Sequence, residues 1–366
     1  MINLKENKKF EVIKKRVKRD IASGHYKLQE RLPSERELAV SYGVNRLTVN
    51  RALTELVQEK WLTRVDGIGT FVSNMFCNKA QKQELCRIHL VTVSLQRSSD
   101  IAFAHHALNF FRRQGNVTCI IHETGLDGEN EYTLLSELLT ESECYILLVG
   151  IINPHTRKLI RDHASRFVVL GNAPELDGKV IEVHTDFEAG GRMMMEHLVA
   201  SGHRRIAYCG DPATGTAPER FHAWKSVLAE HQLMAPDDYI IDIGQYDFYQ
   251  NTQKQQFVTE TLTYLLTLPQ RPTAIFCNND DFASIMIHQC WQRGLRIPDD
   301  LSLSGFDGGM TAALDSLALS TVRQPYEEIF RTSLSLLQQQ LPKHFPHVRL
   351  IPQLIVGKTV GKISSI

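Results

Sequence analysis

The chain has 366 residues, 43% of them hydrophobic and 22% charged, with a formal net charge of zero. That is the make-up of an ordinary globular protein, long enough for two or three units. No apolar run approaches the roughly 18 residues that span a bilayer. The basic start, Met1 to Lys9, lacks the apolar segment of a secretory leader, so a cytoplasmic protein with no membrane partner is expected.

The charge is unevenly spread. Residues 1–75 carry 15 Lys/Arg against 9 Asp/Glu, while the other 291 carry 26 against 32. A basic small segment joined to an acidic large one suggests a polyanion partner at one end. The seven cysteines (Cys77, Cys86, Cys119, Cys144, Cys209, Cys277 and Cys290) are odd in number and form no C-x-x-C pair. They read as buried thiols rather than as disulfides or metal ligands.

In chain order, Phe10, Ile13, Val17 and Ile21 recur at three- and four-residue spacing and predict one apolar helix face, with Gly24 as its end. Lys14, Lys15, Lys18 and Arg19 fall on the polar side. Ser34 and Glu37 have capping-box spacing and start a short helix that ends near Tyr42-Gly43. Asn45 is a good N-cap for the next helix, whose apolar stripe is Val49, Ala52, Leu53, Leu56 and Val57. Two helices joined by a tight glycine-containing turn make a helix-turn-helix. Strand-like runs Trp61–Val65 and Thr70–Ser73 follow, joined by Asp66-Gly67-Ile68-Gly69, a hairpin signal.

The run Leu32 to Val72, LPSERELAVSYGVNRLTVNRALTELVQEKWLTRVDGIGTFV, resembles the DNA-binding domain of the gluconate-repressor (GntR) family along its whole length. The resemblance implies a winged helix-turn-helix whose second motif helix enters the major groove. It makes Arg36, Asn45, Arg46 and Thr48 candidate DNA contacts and Gly67 the wing tip. Where the family usually has Arg after the "TV" pair this chain has Asn50, with Arg51 next. Asn pairs with adenine where Arg prefers guanine, so a family-typical operator is not expected. Arg51 is a candidate phosphate contact. Glu35 and Glu37 read as salt-bridge partner and cap rather than as base readers.

Asn74 to Leu85 show little strand patterning. The chain is therefore divided into a reader over residues 1–74, a linker over 75–86 and a larger domain over 87–366. In that domain candidate strands Ile88–Val93, Val117–His122, Tyr145–Val149, Phe167–Leu170, Val180–Val183, Ile206–Cys209, Tyr239–Ile243, Ala274–Cys277 and Leu301–Phe306 alternate with amphipathic stretches. Phe187–Ser201 and Asp280–Arg293 are two of the helices. This pattern predicts an α/β fold with doubly wound parallel sheets in two subdomains. Ligands in such folds sit at the C-terminal ends of strands, so Asn172, Asp211, Asn278, Asn279, Asp280 and Asp307 are the polar residues to inspect. Asp280, opening a helix, also reads as a cap.

The segments HTDFEAGGRMMMEHLVASGHRRIAYCGD, ERFHAWKSVL, AIFCNNDDFA, GLRIPDDLSLSGFDG and STVRQPYEEI resemble the effector domain of the lactose/galactose-repressor family, whose fold is that of periplasmic sugar-binding proteins. The resemblance implies that Arg220 clamps ligand hydroxyls, Asp280 accepts from them, Gln324 is a hinge glutamine at the cleft, and Asn172 lines it. Phe248 and Phe103 are candidate aromatic platforms for a sugar ring. A regulator of transcription is expected, a repressor, binding double-stranded operator DNA as a homodimer under control of a small ligand, a sugar.

Against an enzyme stand the missing motifs: no G-x-G-x-x-G after a strand, no H-E-x-x-H and no G-x-S-x-G. No cofactor or metal is expected, and His105-His106 reads as polar surface. Two alternatives are a cytoplasmic sugar-binding protein and a cofactor-fused enzyme of the same DNA-binding family.

Overall fold

A computed structural model describes residues 4–363 except 23–25, 27–29, 60, 66–68, 74–85, 96–97, 116, 126, 143, 151, 177, 214–215, 244–250, 310–317 and 339–344. The chain forms two compact units, residues 1–85 and 86–366. The linker proposed from sequence, Gly24 and Gly67 lie almost wholly or wholly outside the described residues.

The first unit contains α1 (Leu4–Ala22), α2 (Glu35–Tyr42), α3 (Arg46–Gln58) and an antiparallel hairpin of β1 (Leu62–Val65) and β2 (Gly69–Val72). Both helix starts follow from local chemistry. Ser34 Oγ accepts from the Glu37 amide at 3.4 Å while the Glu37 carboxylate accepts from the Ser34 amide at 2.7 Å. Asn45 Oδ1 accepts from the Leu47 amide at 3.0 Å. Gly43 closes α2 in the left-handed region, φ +62°, where a side chain would be strained. The periodic residues Phe10, Ile13, Val17, Val49, Ala52, Leu53 and Leu56 form one buried core.

The basic side of α1 is not simply solvated. Lys14 is buried and its Nζ lies 2.8 Å from Glu55 and 2.6 Å from Glu59, and Lys18 meets Glu59 at 2.6 Å. Part of the unit's positive charge is therefore spent internally, tying α1 to α3.

The second unit has two parallel sheets. The first runs in the order β13, β7, β6, β5, β3, β4, built from β3 (Cys86–Thr92), β4 (Val117–Glu123), β5 (Cys144–Val149), β6 (Phe167–Leu170), β7 (Ile181–Thr185) and β13 (His347–Leu350). Helices α4 (Ser98–Arg112) and α11 (Tyr326–Leu337) cover one face, while α5 (Gly128–Leu138) and α6 (Arg157–Asp162) cover the other. The second sheet has the order β11, β10, β8, β9, from β8 (Ile206–Gly210), β9 (Ile240–Asp242), β10 (Ala274–Cys277) and β11 (Ser302–Ser304). Around it pack α7 (Phe187–Ala200), α8 (Ala217–Glu230), α9 (Asn251–Thr267) and α10 (Asp280–Gln292).

The nine strands read from the sequence are present with shifts of a few residues at their ends. Three were not foreseen: β13, and the antiparallel pair β12 (Thr321–Arg323) and β14 (Gln353–Ile355). Each has only three or four residues, too few for a period to show. They matter because they lie where the chain returns between the sheets: β12 precedes α11, which packs on the first sheet.

Candidate functional site

In the first unit one carboxylate organises a face. Glu35, at the start of α2, accepts from Arg46 Nε at 3.1 Å, Asn50 Nδ2 at 2.5 Å and Arg64 Nη2 at 3.1 Å. Burial pushes Glu35 up, but the hydrogen bonds from Asn50 and Arg46 outweigh it and hold the group below its ordinary value. Side chains from α3 and β1 are thus held side by side. Glu35 is the salt-bridge partner and Glu37 the cap, as read from the sequence. Arg64 was missed, because nothing local marks a strand residue as the neighbour of a helix start. Arg36 is exposed and Thr48 half-buried. Asn45 spends its side chain on the cap. The structure lays the Arg51 guanidinium 4.8 Å from the Phe10 ring, toward α1, and does not bring it into the Glu35 group.

In the second unit the strand ends converge. Arg220, on α8, is buried, with its guanidinium carbon 5.0 Å from the Phe187 ring centre and 4.8 Å from that of Phe306. Its Nη2 donates to Thr216 Oγ1 at 3.4 Å and its Nη1 lies 3.9 Å from Asp307 Oδ1. Asn172, after β6, donates through Nδ2 to Glu219 Oε1 on α8 at 3.1 Å, linking the layers of the two sheets. Among the described residues, Arg220 Nε, Glu219 Oε2 and Asn278 Oδ1 are buried without a hydrogen-bond partner.

Asp307 stands between the layers. Its φ is +108°, a conformation that costs a non-glycine residue about 1–3 kcal/mol and persists only when its surroundings over-determine it. Here Gln324 Nε2 donates to Asp307 Oδ1 at 2.8 Å and the Tyr326 hydroxyl donates to the Asp307 carbonyl at 2.9 Å. The Asp307 amide donates in turn to the Val322 carbonyl at 2.9 Å. Gln324 Oε1 accepts from Thr185 Oγ1, at the end of β7, at 2.8 Å.

Two expectations are corrected. Asp280 is not the cap of α10; Asn279 is, accepting from the Phe282 amide at 2.9 Å. The Asp280 carboxylate turns inward, accepting from Thr321 Oγ1 at 2.6 Å and the Gly309 amide at 2.9 Å. It is 1% exposed, so it braces the loop that follows β11. Burial, with the neighbouring Asp307 charge, pushes it well above the usual carboxylate range. Phe103 is not an open platform: it lies in the core under the first sheet, edge-on to Tyr326 with ring centres 4.9 Å apart and to Phe330 at 6.1 Å. Phe248 lies outside the described residues. The aromatic rings that do frame Arg220, Phe187 and Phe306, were missed because in sequence they look like core residues at a helix start and a strand end.

Among the described residues no helix is long and apolar enough to cross a membrane.

Residues 9–72 match the model of bacterial regulatory proteins of the gntR family, and residues 195–360 match the periplasmic binding protein-like domain. The chain is similar to the arabinose metabolism transcriptional repressor of Geobacillus stearothermophilus, 28% identical across 97% of this chain and 98% of that protein. It is also similar to the HTH-type transcriptional repressor PurR of Vibrio vulnificus, 24% identical across 91% and 98%. A crystal structure of a LacI family transcriptional regulator from Lactobacillus casei with bound glucose shares the fold, with a TM-score of 0.60 and 19% identity over 75% of this chain and 99% of that one.

Proposed function

We infer that this transcriptional repressor, built from a gntR-family DNA-binding domain and a periplasmic-binding-protein-like effector domain, releases its operator when an uncharged sugar enters the cleft beside Arg220. The observation that carries the reading is that, among the described residues, Arg220 Nε, Glu219 Oε2 and Asn278 Oδ1 are buried without a hydrogen-bond partner, in segments that follow the C-terminal ends of β8 and β10. A buried polar atom without a partner costs about 1–3 kcal/mol, and a ligand carrying hydroxyls relieves it. Hydroxyls both donate and accept, so one polyol serves a guanidinium, a carboxylate and an amide oxygen together. Glu219 and Asp307 outnumber the single Arg220, which disfavours sugar acids and sugar phosphates. The glucose-bound relative supports a sugar as the class.

On the DNA side, Arg46 and Asn50 are the base readers and Glu35 sets their geometry. Arg36, Thr48 and the wing at Gly67 supply the remaining contacts. The protein acts in the cytoplasm as a homodimer on a pseudo-palindromic operator, since helix-turn-helix readers meet two half-sites. A monomeric mass in light scattering with operator present would sink that part.

The test of the effector reading is a thermal-shift screen of neutral sugars, sugar acids and sugar phosphates. A ligand at 100 times its dissociation constant adds about 2.7 kcal/mol of stability. A neutral sugar should raise the melting temperature and weaken operator binding in a gel-shift titration. Stabilisation by a sugar acid alone would overturn the charge argument.

A further inference from the structure

A second cluster of chemistry-bearing side chains lies at the opposite, N-terminal ends of β3 and β5. These strands are parallel neighbours, with Arg87 beside Cys144 and His89 beside Ile146. His89 and Cys144 therefore share the face that carries Val91, Ile146 and Leu148 against α5. Glu141 reaches the same place from the turn that ends α5. Donor atoms of His89, Glu141 and Cys144 all lie within 4.8 Å of one another.

His89 is 1% exposed, and its Nε2 is buried without a hydrogen-bond partner. That nitrogen stands 3.6 Å from Glu141 Oε2, beyond hydrogen-bond distance, and so faces into the cluster. Its other nitrogen, Nδ1, is 2.9 Å from His122 Nε2 on β4. A metal-binding histidine is held in this way, one nitrogen toward the metal and the other fixed by a neighbour that sets the ring and its tautomer. Imidazole, carboxylate and thiolate together form a zinc donor set.

We propose that His89, Glu141 and Cys144 form a binding site for one zinc ion, with His122 as the positioning residue behind His89. This assigns Cys144 a role beyond that of the inert buried thiol expected from sequence. Coordination is through His89 Nε2, a Glu141 oxygen and Cys144 Sγ, and water takes the fourth position. The Cys144 S–H bond breaks, its proton goes to solvent, and the S–Zn bond forms with no change in oxidation state.

Two guanidiniums already occupy these donor groups, and the Cys144 thiol donates to the Leu138 carbonyl at 3.1 Å. Arg87 Nη1 lies 2.6 Å from Glu141 Oε2, and Arg166 Nη2 lies 2.6 Å from Cys144 Sγ. Arg166 is also satisfied by the carbonyls of Leu139, Glu141 and Cys144 at 2.7–3.1 Å, so it keeps its place when sulfur turns to the metal. The Glu141 oxygen that faces His89, Oε2, is the one Arg87 holds, so Arg87, half-exposed at the surface, turns aside when zinc binds.

The full chain is dialysed against zinc, and separately titrated with cobalt(II) as a spectroscopic stand-in. One zinc per chain is expected, with a thiolate-to-cobalt charge-transfer band. The band should vanish in Cys144→Ser and zinc affinity should fall in His89→Gln, while His122→Gln weakens binding about 10–100-fold. Melting curves without metal show whether each variant is folded. A cobalt spectrum lacking the thiolate band, or equal zinc binding by the parent and a folded Cys144→Ser, overturns the proposal.

Discussion

Gln324 donates to Asp307 at 2.8 Å and accepts from Thr185 at 2.8 Å, so one amide joins the last residue of β7 to the strained turn after β11. This side chain links the layers of the two sheets. Asp307 also neighbours Arg220, so movement of the clamp is felt at the same point. Gln324→Ala should leave operator affinity and effector affinity each within a few-fold of the parent. The factor by which effector weakens DNA binding should shrink, and by linkage the reciprocal factor must shrink equally. Operator titrations with and without sugar measure it, and an undiminished coupling factor would refute the role.

Arg220→Ala should abolish the effector response. It removes the cation beside Phe187 and Phe306 and the guanidinium 3.9 Å from Asp307. Ligand-free DNA binding should be intact, because Arg220 belongs to the second unit and the reader folds around its own core. If calorimetry shows sugar bound as tightly as by the parent, the cleft assignment is wrong.

Arg46→Ala should weaken operator binding by about 1–3 kcal/mol and relax base preference. It should not unfold the domain, since the Arg46 side chain is 58% exposed. Glu35→Ala gives a different signature. It removes a negative charge from the face while releasing Arg46, Asn50 and Arg64. Non-specific affinity should rise or hold while the ratio of specific to non-specific binding falls. A preserved ratio at fixed salt would show that the carboxylate does not position the readers.

Lys14→Met should destabilise the first unit by about 1–2 kcal/mol, because it takes Lys14 from Glu55 and leaves Glu59 with Lys18 alone. The loss is moderate since the carboxylates are 35% and 37% exposed and can be solvated again. Urea unfolding of the parent and variant decides it; a variant of equal stability would make the pair ornamental.

Acid should loosen the second unit through His203. Burial pushes this imidazole from 6.5 down to about 4, while its ring bonds Thr273 Oγ1 at 3.0 Å and the Gly361 carbonyl at 3.2 Å. Above the unfolded value neither state binds the proton, so there is no contribution. As pH falls from about 6.5 to about 4 the unfolded chain takes the proton first and stability drops, by up to about 3 kcal/mol. His184, pushed to about 4 by burial in the same way, acts in the same direction. His203→Gln should flatten the fall in unfolding free energy over that window, and an unchanged slope would count against it.

Much of the protein was legible from its residues because the signals are local. The Ser34–Glu37 box, the Asn45 cap, the periodic stripe of α3 and the apolar runs of β5, β6 and β10 depend on neighbours a few positions away. Runs long enough to show a period therefore became the expected elements, and Arg220 and Gln324 were singled out by their place in recognisable segments; both are buried. Only the tertiary structure decided what those side chains touch. Glu35 gathers Arg64 from 29 positions away, and Asp280 turns from a cap into a brace through Thr321, 41 positions on. Phe103 and Phe187 are both aromatic residues near helix starts and equally buried, yet one packs on Tyr326 and the other flanks Arg220. Hydrophobicity is the same in each case. What differs is which neighbour the completed sheets bring to each ring, and no single stretch of sequence contains that information.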